Sequence, residues 1–505
     1  MSFRDPILHT RQGRIYLMGA IALSLLLFFV FKILYPYPNM IMDSYVYLRP
    51  LVEGQHVSAF PMGYTWFIGL VGLISRSATV LVWVQYLFLE MSFLLFYYTI
   101  LYFFQPAKWS RILLFVFLFC NPLFMYAGNL VMSDTLFTTL SILWLTQMIW
   151  IFFRPRLYMI LLQALLLLLV FSVRYNALYY PFVGAIALFF VRIPIWQKLA
   201  GIGLQIMLIG SFVLYTMQEM RLATQQTVFS PFGAWRMANN ALYMYGHVCL
   251  QENKPSPVPP RFGGLDSMVR RYFNAIRWVD DQANAGSVAA LYAGDPTSPL
   301  VIYKELKYGP DSVFMDLRTF SLMAPEYSAY GVFLVKKYPF SYIKWFLWPS
   351  LIRYLITPQE VFSSHTPFYL REDTIGKEMN TWFRLKTLTV APSLISVRDI
   401  LLSPYSILKT LIHLAFFIGM TGFFFLGGLK RTDRTMVRAV IFIAAVWIID
   451  LFFKVTAGAV ALRHQMFIMV LEFSFVPFFF NFIYHKIKEE SSRPILLGEQ
   501  GVSTG

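Results

Sequence analysis

The sequence predicts an all-α polytopic membrane protein of about ten transmembrane helices, with a soluble or interfacial lobe on its outer side. Three observations predict it. Of 505 residues, 58% are hydrophobic and only 13% are charged, where a soluble domain carries about 25% charged residues. Apolar runs recur at lengths near the ~20 residues a helix needs to cross the hydrocarbon core. The formal net charge is +16, and the basic residues fall in short clusters between those runs. That is the positive-inside pattern, not a nucleic-acid footprint, so no nucleic-acid partner is read.

The first span is 15–35. Arg4, Arg11 and Arg14 precede it and no small-residue cleavage site follows, so it reads as an uncleaved anchor with its basic flank inside. The polar stretch 39–63 is then outside. It opens with Asp43 and reads as a small amphipathic helix, with Tyr45, Leu48 and Val52 on one face and Arg49, Glu53 and His56 on another. Residues 62–74 hold Gly63, Gly69 and Gly72 and are too short to span, so an interfacial or re-entrant helix is expected.

Spans follow at 81–104, 112–126, 136–153, 157–173, 178–191 and 200–217. The inner turns carry Lys108 and Arg111, Arg154 and Arg156, and Arg192 and Lys198. The outer turns carry Asp134, and then Arg174 with Asn176. Residues 218–400 are mostly polar and form the outer lobe. They include a Pro-rich bend at 254–260, a helix near 265–281 ending in the solvated pair Asp280 and Asp281, and an interface helix at 339–356, with a full span as its alternative, behind the anchors Lys336, Lys337 and Tyr338. The last spans are 401–426, 440–453 and 461–482. Lys430, Arg431, Arg434 and Arg438 lie inside, as do His485, Lys486 and Lys488. The chain therefore divides into an N-terminal transmembrane module (1–217) with a first outer loop (37–80), the outer lobe (218–400), C-terminal transmembrane helices (401–488) and a cytoplasmic tail (489–505) whose stretch SSRPILLGEQGVSTG reads as disordered. Cys120 lies in an apolar run and Cys249 in a polar loop, so no disulfide and no metal-ligand spacing is read.

On this topology Asp43, Asp134, Arg174, Arg463 and His464 meet at the outer membrane face from five separate places. Ionisable groups at span ends are costly unless paired or functional. Two carboxylates suit base catalysis on a hydroxyl, and a planar guanidinium grips phosphate with two parallel hydrogen bonds. Together they point to transfer from a phosphorylated donor. The plainer alternative makes Asp43 and Asp134 helix caps. Glu90 and Glu472, inside spans, read as paired or protonated.

Several stretches carry a resemblance: DSYVYL after the first span, FPMGYTWFIGLVGLI, NPLFMYAGNLVMSDTLFTTLSILWL, LLLLVFSVRYNALYYP, VKKYPFSYI and ALRHQMFIMVLEFSFVP. In their order and placement they resemble the GT-C superfamily of polyprenyl-phosphate-sugar-dependent glycosyltransferases, in the protein-mannosyltransferase-like and aminoarabinose-transferase-like branch. The resemblance implies a GT-C-like bundle and an inverting transfer. A polyprenyl-phosphate-linked sugar is the donor, and a lipid, glycan or protein hydroxyl is the acceptor. Asp43 would be the catalytic base and Asp134 the second catalytic acid. Arg463, Arg174 and His464 would bind the donor phosphate, and Tyr45, Arg49 and His56 would belong to the acceptor loop. It implies a bacterial inner (plasma) membrane, with the active site on the outer face. Ser44 stands where many relatives carry a second acid, so no metal pair and no certain cofactor are implied, and RHQ stands where relatives often read RY. The competing functions are a transporter or flippase for lipid-linked glycans, and a glycan ligase or polymerase of the same fold. The absence of an internal repeat weighs against transport.

Overall fold

The computed structural model describes residues 10–251, 257–276, 291–311, 315–357, 374–385, 402–458 and 460–491. Among these residues the regular structure is helical, with one isolated parallel bridge between Asn39 and Leu130. Among the described residues eight helices are long and apolar enough to cross a membrane, and two shorter apolar helices, Leu157–Val173 and Tyr175–Phe190, fall where two more spans are expected. The protein is an all-α polytopic membrane protein.

Helix α1 (Arg11–Leu34) opens on Thr10, whose side chain accepts from Gly13 N. It exposes Ile15, Met18, Leu26 and Ile33, the apolar outer surface that a lipid-facing helix keeps. The short helices α2 (Met42–Glu53) and α3 (Gly63–Gly72) follow, then α4 (Ala78–Phe104). Helix α3 is not among the eight long helices; it packs on α2 and α4 and exposes Trp66, Leu70, Leu73 and Ile74.

Helices α5 (Lys108–Phe119) and α6 (Pro122–Gly128) lead to α7 (Ser133–Phe153). Helix α7 is apolar on every side and buried along most of its length, as expected of a helix at the centre of a bundle. Its threonines are satisfied locally: the Thr138 hydroxyl donates to Asp134 O and that of Thr139 to Thr135 O. Helices α4 and α8 (Leu157–Val173) pack against it, and α8 also packs on α10 (Ile195–Thr224) beyond α9 (Tyr180–Phe190). Helix α3 meets α8 closely. A Cβ at Gly63 would stand 2.5 Å from the carbonyl carbon of Ser172, just ahead of Arg174.

The lobe is built on α11 (Pro231–Gln251) packed against α15 (Leu317–Lys337), with α12 (Gly263–Ile276), α13 (Leu291–Gly294) and α14 (Pro299–Tyr308) around them. Cys249 is buried on α11 rather than lying in a polar loop. The pair Asp280 and Asp281, the first part of the Pro-rich bend and the tail from 492 onward lie outside the described residues. The expected interface helix is a continuous rod of α16 (Pro339–Tyr342), a π turn (Ile343–Leu347) and α17 (Trp348–Leu355). It exposes Phe340, Ile343, Trp348 and Ile356 and buries Phe346 and Tyr354. After α18 (Thr374–Phe383) come α19 (Pro404–Phe425), α20 (Gly428–Arg431), α21 (Arg434–Ala457) and α22 (Met466–Ser491), with α19 packed along α22.

Candidate active site

Two loops far apart in sequence are stitched together to make the site. Asn39 N donates to Asn129 O at 2.8 Å and Val131 N to Asn39 O at 2.9 Å. The Ser44 hydroxyl donates to Val131 O at 2.8 Å, and the Tyr47 and Ser133 hydroxyls pair at 2.8 Å. Gln85, from inside α4, donates its amide to the carbonyls of Gly128 and Leu130 at 2.6 and 2.8 Å. Buried backbone groups must find such partners, and here they fix the start of α2 beside the start of α7. Asp43 and Asp134 are thereby held in one neighbourhood.

Neither aspartate is a helix cap. Asp43 lies in the first turn of α2, whose N-cap is Ile41, and the side chain that serves that end is Ser44, whose hydroxyl oxygen accepts from Ile41 N at 3.0 Å. Asp134 lies in the first turn of α7, whose N-cap is Met132, without a side-chain cap bond. The cap position falls upstream of each aspartate, on Ile41 and Met132, whose side chains carry no oxygen to accept from an N–H. Both carboxylates lie in the first turn of their helices, where the orphan backbone N–H groups point.

Asp134 is 2% exposed and forms an ion pair through Oδ1 with Arg174, which follows the end of α8. His464 Nε2 lies 3.6 Å from the same oxygen. Asp134 Oδ2 is buried and makes no hydrogen bond among the described residues. Asp43 keeps 35% exposure, and Arg463 Nη2 stands 3.9 Å from its Oδ2. Arg463 and His464 belong to a 3-10 turn, Leu462–Gln465, at the head of α22. Burial pushes the Asp43 carboxyl above its ordinary value; Arg463 pulls it down, Asp134 pushes it up, and Arg174 and Arg236 pull it down. With a third of its surface exposed, the Asp43 carboxylate is half-buried and reachable by a ligand.

The five groups expected to meet do meet. A sixth, Arg236 on α11, was not legible in the sequence. Its Nε donates to Ala457 O at 2.8 Å, and its Nη2 is buried without a hydrogen bond among the described residues. Burial lowers it to about 10, so it stays charged at neutral pH. It sits in the polar lobe with no motif around it, and only the packing of α11 brings it near Asp43. The cluster then holds three guanidiniums against two carboxylates, a surplus of positive charge.

The proposed acceptor trio is not gathered at Asp43. Tyr45 is fully buried, and Arg49 pairs with Glu53 at 2.8 Å. By helical spacing both point away from Asp43, where they line a small pocket with Gln55, Ser58, Met315 and Leu317. His56 is not on the helix with Arg49 and Glu53, because α2 ends at Gly54 in the left-handed conformation (φ 68°), leaving His56 exposed beyond it.

Beneath the carboxylates lies a buried ionic layer. Asp450 on α21 pairs with Lys454 at 2.9 Å and accepts from the Tyr179 and Tyr354 hydroxyls at 2.6 and 3.1 Å. Glu472 on α22 pairs with Lys409 at 2.8 Å and His413 at 2.7 Å, both on α19, and accepts from the Trp447 indole N–H at 2.8 Å. Of these, the sequence marked Glu472 alone. Glu90, the other intraspan acid, accepts from the Ser24 hydroxyl at 2.8 Å. Among the described residues no three His, Cys, Asp or Glu side chains gather as a metal set. Comparison with protein families, with curated proteins and with solved structures finds no match to this chain.

Proposed function

We propose that this integral membrane protein is a glycosyltransferase of GT-C type. It moves a sugar from a polyprenyl-phosphate donor to a hydroxyl of a lipid, glycan or protein at the outer membrane face, with inversion. The observation that carries the reading is the pairing of an accessible carboxylate with a surplus of guanidinium charge at one end of the bundle. Asp43 takes the proton from the acceptor hydroxyl as its oxygen attacks the anomeric carbon. The bond from that carbon to the phosphate oxygen breaks, and the departing phosphate gains a charge that Arg463 and Arg236 neutralise. Such neutralisation is usually the larger catalytic contribution, and a positioned base adds roughly 10²–10⁴ in rate. Asp134, held by Arg174 and His464, keeps one oxygen unspent for a sugar hydroxyl.

The test is a membrane assay with radiolabelled polyprenyl-phosphate sugars, comparing the parent with Asp43→Asn. Label passing to an acceptor only in the parent supports the reading. A second reading, transport of a lipid-linked glycan, draws on the ionic layer buried inside the spans, since intramembrane charges often mark a translocation path. Lipid-linked sugar crossing proteoliposomes without transfer would favour it.

A further inference from the structure

The buried acid Asp450 has no part in the chemistry above, yet it receives three donors from three elements. Lys454 comes from its own helix, Tyr354 from α17, and Tyr179 from the 3-10 turn Tyr175–Tyr179. That turn begins at once after Arg174, and Ala177 N donates back to Arg174 O at 3.1 Å. At its far end the Tyr180 hydroxyl donates to Ser141 on α7 at 3.0 Å. The backbone that launches Arg174 is thus tethered to α7 through Tyr180 and to α21 through Tyr179. Asp450 also neutralises Lys454, which lines one cavity with Arg174, Asn176 and His464. Without that carboxylate a bare ammonium would face Arg174 in a low-dielectric space, where like charges repel strongly.

We propose that Asp450 is a positioning residue, holding the turn after Arg174 so that Arg174 stays on Asp134, and linking that geometry to the interfacial rod through Tyr354. The inference rests on the proposed phosphate site for its effect on ligand, but the holding of the turn stands apart from it. The contact acts through hydroxyls bound to a carboxylate, so Tyr179→Phe removes one bond and keeps the ring. Loss of a hydrogen bond to a charged group is a change of roughly tenfold in an equilibrium.

The experiment uses the full chain in detergent, with Cys120 and Cys249 replaced by serine and a reporter at Asn176→Cys. Maleimide labelling of that cysteine is compared among the parent, Tyr179→Phe, Asp450→Asn and the pair together. Binding of farnesyl phosphate, with farnesol as control, is read beside each melting temperature. The expected result is several-fold faster labelling in each single variant, no further gain in the pair, and an unchanged melting temperature in Tyr179→Phe. Farnesyl phosphate affinity should fall about threefold to tenfold in the same variants. Unchanged labelling in both single variants, or strictly additive effects, overturns the positioning role. If labelling responds but the parent binds farnesyl phosphate no better than farnesol, Asp450 holds the turn and the phosphate reading fails instead.

Discussion

Arg463 Nη2 stands 3.9 Å from Asp43 Oδ2, so the head of the last helix faces the start of the first outer-loop helix. At that distance the pair attracts without a direct hydrogen bond. An anion arriving between α2 and α22 competes with Asp43 for the guanidinium. Arg463→Ala should weaken binding of a polyprenyl-phosphate analogue. Arg463→Lys should restore it only in part, because an ammonium offers a point charge instead of a fork. Equal affinity in parent and Arg463→Ala, read by calorimetry, removes the residue from the site.

Arg236 makes a companion case. Its Nη2 lacks a hydrogen bond among the described residues, and its Nε is anchored on Ala457. Arg236→Gln should keep part of that anchor while removing the charge. Affinity for an alkyl phosphate should fall by about tenfold, the scale of one charge-assisted hydrogen bond, with little change in melting temperature. A large drop in stability at unaltered affinity would mark Arg236 as a tie between lobe and bundle only.

The Asp134–Arg174 pair is buried on its acid side. Removing one partner of such a pair leaves an uncompensated charge at a cost of about 3–5 kcal/mol. Arg174→Ala should therefore destabilise strongly, and Asp134→Asn combined with Arg174→Ala should recover part of the loss. A double-mutant cycle on thermal unfolding measures it, and additive losses would mean that the two side chains do not interact.

Much of the fold was legible because lipid imposes a simple code. A run of about 20 apolar residues has one stable conformation in a bilayer, and among the described residues eight long and two shorter apolar helices fall on the ten expected runs, with the run 112–126 broken between α5 and α6 at Cys120 and Asn121. The meeting of Asp43, Asp134, Arg174, Arg463 and His464 followed from which ends of those helices lie together. Local detail followed less well. Ile41 and Met132, not the aspartates, occupy the cap positions, because the stitched loops fix where each helix starts. Arg236 carries no periodic or motif signal, and Asp450 with Lys454 is hidden inside an apolar run, where only the packing of Tyr179 and Tyr354 reveals its use.

Sidedness can be checked without any substrate. Positions 43, 134 and 174 sit at one end of the bundle, and Lys108, Arg154, Lys198 and Lys430 at the helix ends expected on the other. Single cysteines at the exposed positions 56 and 178, beside the two halves of the site, should react with an impermeant reagent from the same side of sealed vesicles, and cysteines at the exposed positions 108 and 154 from the opposite side. Reaction of 56 and 178 from different sides would sink both the topology and the site.

The decisive residue is Asp43. Burial raises its carboxyl above the ordinary value, with Arg463 opposing and Asp134 adding to the rise. A raised carboxyl is a stronger base once ionised, and it is lost as base at a higher pH than a free carboxyl. Activity should therefore fall on the acid side at a pH above about 4, the reference for aspartate. The effect on stability has the opposite sign. Because the folded form holds its proton more tightly than the unfolded chain, stability from this group is fullest below the unfolded value and declines as pH rises through the folded one. Asp43→Asn removes both effects. It keeps the side-chain size and disturbs no cap, since Ile41 holds that position. Folding and donor binding should survive, and turnover should fall by ~10² or more, because an amide cannot take the proton. A rate and pH profile in well-folded Asp43→Asn equal to those of the parent would refute the assignment and pass the question to Asp134, whose unspent Oδ2 makes it the next carboxylate to test.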